Sequence, residues 1–241
     1  YVALLEAARR RGLRTAGHQP SSDIGLRGAL AAGQRSIEHI EGLGELEGMA
    51  GSARDSLARG FAAAEIWFTP TLVASFGRFQ PESLLTARAA GMTAEPEQSL
   101  VTPALRASWT SQLALKKYDS PLDEYRIMVV GGLAGMRRLK AAGVKILAGT
   151  DLAVVNQFPG LALHEELAFL VDSLGLSPLQ AIQAATVGPA RYFGIVDSIG
   201  TVEPGKQADL LILTADPLAD IRNTRRIETV ILRGRVVPAQ P

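Results

Sequence analysis

The stretch VKILAGTDLAVV, Val144 to Val155, runs a short apolar segment straight into a carboxylate. Val144 to Leu147 read as a strand buried on both faces, the pattern of a parallel sheet, and the chain then turns at Gly149-Thr150 onto Asp151. A helix-like segment, 126–142, and Gly143 come immediately before it. The same phrase occurs three times upstream. Residues 2–11 lead through Gly12 to LRTAG, residues 23–32 through Gly33 to QRSIE, and residues 51–59 through Gly60 to FAAAEIWFTPTLV. Glycine directly after a helix supplies a left-handed C-cap, and helices alternating with short apolar strands imply a parallel α/β sheet.

The helix before Val144 presents Met128, Gly132, Gly135, Met136 and Leu139 on one side and turns Arg137, Arg138 and Lys140 outward, so its apolar side is expected to cover the sheet. Residues 77–124 interrupt the rhythm with four prolines and a helix-like piece around 104–118. An insertion of this length is expected to serve as a lid or a subunit contact. After Asp151, LALHEELAFLVDSLG predicts a helix with Leu163, Leu167, Leu170 and Val171 on one face and Gly175 as its cap, and a shorter helix follows Pro178. Residues 199–237 change character, with β-rich segments joined by Gly-containing turns. The expected organisation is an α/β body over 1–198 and part of a small β domain over 199–241.

Composition narrows the chemistry. The 241 residues are 47% hydrophobic and 20% charged with a net charge of +1, which fits a globular chain with a sizeable core and offers no basic stripe for nucleic acid. No apolar run approaches the roughly 20 residues that span a bilayer, so a soluble chain with no membrane partner is expected. Cysteine is absent, which removes disulfides, thiolate metal sites and cysteine nucleophiles. No P-loop, G-x-G-x-x-G or G-x-S-x-G motif occurs. The chain opens on Tyr-Val-Ala-Leu-Leu and reads as the middle of a longer protein.

The polar residues cluster where chemistry is sited in parallel α/β folds, at the carboxyl ends of the strands. His18 follows the first strand, His39 ends the second, Thr69-Pro70-Thr71 ends the third, and Asp151 ends the fourth. Taken singly, each has a plainer reading: a histidine at a strand end is commonly a hydrogen-bonded rim residue, and Asp151 could N-cap the next helix. Together, two of the three histidines and an aspartate at equivalent points of a repeated unit form a ligand set for Zn²⁺ or a similar divalent ion. Such an ion lowers the pKa of bound water from 15.7 to about 7 and polarises a carbonyl. Asp151 would both ligate and accept the water's proton. Thr150 is assigned a supporting place beside it. His164, just inside a helix start with Glu165 and Glu166, is read as structural or as a support to the ligands, the acids suiting the helix dipole. Glu38 alternates with His39 along a strand and is read as scaffold.

These residues resemble the amidohydrolase superfamily, in particular its imidazolonepropionase-like and Xaa-Pro dipeptidase-like members. The likeness runs through TAGH ending in His18, AAGQRSIEHI containing His39, WFTPTLV, ILAGTD ending in Asp151, LHEEL, SPLQAIQAATVGPARYFGI, GTVEPGKQADLLILTADPL and VILRGRVV, and skips residues 77–124. It implies that the chain is the carboxyl-terminal portion of a (β/α)₈ barrel, strands five to eight, with part of a flanking β-sandwich in which Asp209 is structural. It further implies that His18, His39 and Asp151 are the metal ligands of strands five, six and eight, with Asp151 as general base, and that one or two divalent ions, Zn²⁺ foremost, bind in the complete enzyme. The family's His-x-His pair and its strand-four Lys or Glu are absent from these residues. A complete barrel takes around 250 residues. The expected partners are therefore a small-molecule substrate, the missing N-terminal half of the barrel and a second copy in a homo-oligomer, and the chain on its own is expected to be unstable or inactive because its sheet edges stand open.

The expected activity is metal-dependent hydrolysis of C–N bonds in amides, cyclic amides or dipeptides; the alternative is a truncated or degenerate homologue with a structural or binding role. The lack of cysteine suits a cytoplasmic or an exported protein, and a cytoplasmic location is the working expectation.

Overall fold

In the computed structural model, residues 1–77, 79–114, 122–152, 154–155 and 157–238 are described. The first half of the chain runs α1 (Val2–Arg10), β1 (Ala16–His18), α2 (Gly25–Ala32), β2 (Ser36–Glu38), a 3₁₀ segment (Leu43–Gly48), α3 (Gly51–Ala63) and β3 (Trp67–Thr69). It continues with α4 (Leu72–Gly77), α5 (Glu82–Ala89), α6 (Pro103–Ala114), α7 (Leu122–Ala141) and β4 (Lys145–Ile146). After these come α8 (Leu161–Asp172), α9 (Pro178–Ala185), α10 (Val187–Phe193), β5 (Leu210–Leu213), a 3₁₀ segment (Ile221–Arg225), β6 (Ile227–Leu232) and β7 (Arg235–Val237).

β1 to β4 pair in parallel and in chain order, with Ala16 opposite Ser36, Ser36 opposite Trp67 and Trp67 opposite Lys145. The expected α/β class with a parallel sheet is what the chain adopts. Each crossover places a helix over the sheet, so Ile37 and Phe68 meet Leu26, Phe61, Met136, Leu139 and Leu170 in one continuous apolar core. Gln34, a buried polar residue, spends its amide on the carbonyls of Gly17, His18 and Ser36 and so ties β1 to β2.

The glycine rhythm holds with one correction. Gly12, Gly33, Gly143 and Gly175 all have positive φ just past a helix. Gly60 does not. It lies inside α3, where a Cβ would sit 2.7 Å from Leu30 Cδ2, and the chain reverses instead at Glu65, with φ of 52°. Gly60 permits close helix packing, and the left-handed residue comes five positions later. The apolar side of α7 is as expected, but it packs chiefly on the 3₁₀ segment after β2: Cβ atoms at Gly132 and Gly135 would lie 2.3 Å from the carbonyl oxygens of Ile40 and Leu43. α8 buries Ala162, Glu166, Leu167 and Leu170, while Leu163 is exposed, contrary to the expected face. α9 begins at Pro178 with a capping box between Ser177 and Gln180.

The interrupting region builds its own small core. Leu85, Ala89, Val101 and Trp109 pack with Val155 and Phe158 from the segment after β4, which ties the insertion to the end of that strand. The expected helix around 104–118 is α6; residues 115–118 lie outside the described residues. β5, β6 and β7 form a separate antiparallel sheet. Its connecting 3₁₀ segment seats Ile221 in the main core against α8.

Candidate functional site

The segments that follow β2, β3 and β4 share an unusual backbone. His39, Thr71 and Asp151, just beyond β2, β3 and β4, have φ of 69°, 48° and 54°. Left-handed backbone is uncommon outside glycine and an outlier for a β-branched residue such as Thr71, and each such residue costs about 1–3 kcal/mol and persists only where its surroundings enforce it. Here they do. The His39 amide donates to the Thr69 carbonyl at 2.8 Å, extending the sheet pairing past β2. His39 Nδ1 meets Thr71 Oγ1 at 2.6 Å. The imidazole of His18, on the last residue of β1, lies with its ring centroid 4.4 Å from that of His39, the planes inclined by 44°. Two adjacent strands thus deliver two imidazoles to one point, and a third strand braces one of them.

A cleft of about 460 Å³ opens there, lined by His18, Gln19, Glu38, His39, Glu41 and Glu45 among others. Glu38 faces the cleft beside His39, so the scaffold reading of Glu38 is corrected. Alternation of sides applies only while the backbone stays extended, and the left-handed turn at His39 rotates its side chain to the side Glu38 occupies. Ser36 Oγ donates to Glu38 at 2.6 Å. Glu41 accepts from Ser75 Oγ at 3.3 Å. Glu45 accepts from the Leu26 amide at 3.2 Å in the first turn of α2 and from Gln19 Nε2. Three carboxylates, with no Lys or Arg among the described lining residues, make the cleft a place for positive charge.

Asp151 occupies the corresponding place on β4. Gly149 lets β4 approach β3, since a Cβ there would lie 2.4 Å from Thr69 Cγ2. The Thr150 carbonyl accepts from Gln157 Nε2 at 2.6 Å, which pins the turn. Asp151 does not cap the following helix, whose N-cap is Gly160. β3 lies between β2 and β4, so Thr71 stands between the histidine pair and Asp151. Among the described residues, no group of three or more His, Asp or Glu side chains is arranged to hold a metal ion. What the chain brings together is the pair His18 and His39. Their nitrogens suit a divalent ion, and further ligands are needed to complete its shell. His164 lies elsewhere, its Nδ1 3.0 Å from Thr224 Oγ1 in the 3₁₀ segment against α8, with burial and then Arg225 lowering its pKa.

Glu166, expected to suit the dipole at the helix start, instead faces the core. Glu166 is fully buried on α8, with a carboxylate oxygen accepting from the Val73 amide at 2.8 Å in the first turn of α4. Burial pushes its pKa up to about 8 against the pull of the Val73 and Leu72 amides, and its second oxygen has no hydrogen-bond partner among the described residues. The signal lay in the spacing of Ala162, Glu166 and Leu170, one helical face in which a glutamate takes the central place.

The amidohydrolase family model matches residues 1–237. An imidazolonepropionase from Geobacillus kaustophilus (strain HTA426) is 34% identical over 107 residues, 43% of this chain and 25% of that protein. A 5-methylthioadenosine/S-adenosylhomocysteine deaminase from Moorella thermoacetica (strain ATCC 39073 / JCM 9320) is 29% identical over 135 residues, 48% of this chain and 32% of that protein. Among solved structures, a putative prolidase from Bifidobacterium longum superposes with a TM-score of 0.69 at 26% identity, over 98% of this chain and 49% of that one. A Xaa-Pro dipeptidase with methionine bound in its active site gives a TM-score of 0.63 at 24% identity, over 99% and 48%, a likeness of fold. The chain spans about half the length of these solved structures. Among the described residues no helix is long and apolar enough to cross a membrane.

Proposed function

The chain belongs to the amidohydrolase family, and from that membership we propose that it forms strands five to eight of a (β/α)₈ hydrolase that uses a divalent metal to cleave C–N bonds of amides, cyclic amides or dipeptides. The observation that carries this reading is the histidine pair: His18 and His39, 4.4 Å apart at the ends of neighbouring parallel strands, with Thr71 bracing His39 from the next. That rim is where chemistry is sited in barrels of this kind. The half-length match to solved structures supports the half-barrel, and the antiparallel sheet of β5, β6 and β7 is assigned to a flanking β-sandwich.

His18 and His39 would hold the ion by their imidazole nitrogens, and Asp151, set apart from the pair by β3 in this chain, would join them as the carboxylate ligand once the other half of the barrel completes the rim. When bound, the metal would acidify a water and polarise the substrate carbonyl. In the tautomer that carries its proton on Nδ1 and donates it to Thr71 Oγ1, His39 would keep the lone pair of Nε2 for ligation. Asp151 takes the attacking water's proton on a carboxylate oxygen and hands it to the leaving nitrogen. Glu38, Glu41 and Glu45 keep the cleft anionic, favouring the cation and any positively charged substrate group. The other half of the barrel, with a His-x-His pair and a Lys or Glu, is the partner this reading requires.

Elemental analysis of the full-length protein tests it. One or two divalent ions per polypeptide are expected, with turnover of a dipeptide or cyclic amide lost on chelation and restored by Zn²⁺ or Mn²⁺. Undiminished hydrolysis by metal-free protein overturns the reading.

A further inference from the structure

The geometry points to Glu166 as a positioning residue that acts on the His39 imidazole through the turn at Thr71. Three links carry it. The Glu166 carboxyl group, reaching in from α8, accepts from the Val73 amide at 2.8 Å and so fixes the first turn of α4. Thr71 lies directly before that helix with φ of 48°, a conformation a threonine holds only when its neighbours enforce it. Thr71 Oγ1 in turn meets His39 Nδ1 at 2.6 Å. A side chain 93 residues away in sequence from Val73 thus determines where a hydroxyl sits, and the hydroxyl, accepting from Nδ1 or donating to it, holds the His39 ring in the one tautomer that its remaining surroundings select.

Burying a carboxyl group here is costly, since it is wholly shielded from water and one oxygen has no hydrogen-bond partner among the described residues. An apolar residue would fill the same space on α8 without that penalty. What it would lack is the acceptor for Val73. The position therefore fits a demand for an acceptor at the strand-end turn better than a demand for core packing.

The test uses the full-length protein with ¹⁵N-labelled histidine, freed of metal, and reads the tautomer of His39 by NMR. The wild type and Glu166→Gln, which keeps an oxygen for the Val73 amide, are expected to hold one tautomer. Glu166→Leu removes the acceptor and Glu166→Asp draws it back, so both are expected to give a mixture. Thr71→Val is expected to do the same, and combining it with Glu166→Leu is expected to add nothing further, the mark of two residues acting in series. A His39 tautomer unchanged in whichever of the Leu and Asp variants folds overturns the inference. A second arm rests on the metal reading above: Zn²⁺ affinity is expected to fall about 10- to 100-fold in Glu166→Leu, the usual effect of losing a residue that orients a ligand. Failure of every form to bind Zn²⁺ would count against the metal reading, while the tautomer readout decides the role of Glu166 by itself.

Discussion

The two sheets of this chain use left-handed backbone for opposite ends. In the antiparallel sheet, Arg233 and Gly234, with φ of 51° and 75°, make the tight turn between β6 and β7, and Asp209 accepts from the Arg233 amide at 2.6 Å to secure it. In the parallel sheet the same conformation at His39, Thr71 and Asp151 aims side chains. Their surroundings differ as well. Ile37 and Phe68 of the parallel sheet are fully buried, whereas Leu211, Leu232 and Val236 of the antiparallel sheet are 49%, 54% and 66% exposed. Strain that only reverses a chain can sit in solvent, but strain that orients an imidazole needs a packed core on one side and fixed partners on the other.

The contrast yields graded expectations. The largest effect should come from removing an aimed side chain: His39→Ala in the full-length protein is expected to lower kcat/KM by about 10³-fold, since a metal site supplies several kcal/mol of transition-state stabilisation. Steady-state kinetics alongside metal content checks this.

Next is the pH dependence that Glu166 confers. Its carboxyl keeps a proton in the folded state up to about pH 8 but loses it near 4.5 when unfolded. Its contribution to stability is therefore complete below about pH 4.5 and is lost as pH rises through 8, an effect on the order of a few kcal/mol. Thermal unfolding from pH 5 to 9 should show this decline in the wild type and a flatter profile in Glu166→Gln.

A smaller effect is expected under the rim. Gly132→Ala drives a Cβ to 2.3 Å from the carbonyl of Ile40, the residue after His39, and should cost about 2 kcal/mol in urea unfolding and reduce activity too. Gly131→Ala, whose Cβ would find its nearest neighbour at 3.5 Å, should leave stability unchanged or raise it by up to about 1 kcal/mol. The smallest effect belongs to the other sheet: Leu232→Thr, on an exposed strand, should change the stability of this chain by less than about 0.5 kcal/mol.

How much of this could be read beforehand follows from what a linear pattern encodes. Gly12, Gly33, Gly143 and Gly175 announced helix ends because glycine adopts left-handed backbone at little cost, and the ends of helices need it. Gly60 gave the same signal for a different reason, the close approach of Leu30, and spacing cannot tell the two apart. His18 and His39 stood out because they recur at equivalent points of a repeated unit, and the structure brings their rings together. Thr71 was legible as a polar residue at a strand end, but its bracing of His39 was not, as nothing in a threonine announces positive φ. Glu38 was misread because the rule of alternation fails where the backbone turns, and Glu166 because an acidic residue near a helix start looks solvated until the helix in front of it is known.

Anomalous diffraction at the metal absorption edge, from crystals of the full-length protein, addresses the central claim most directly. A peak is expected at the ends of β1 and β2, about 2.0–2.1 Å from one imidazole nitrogen each of His18 and His39. A peak away from both histidines, or turnover by protein with no metal at that rim, would contradict it.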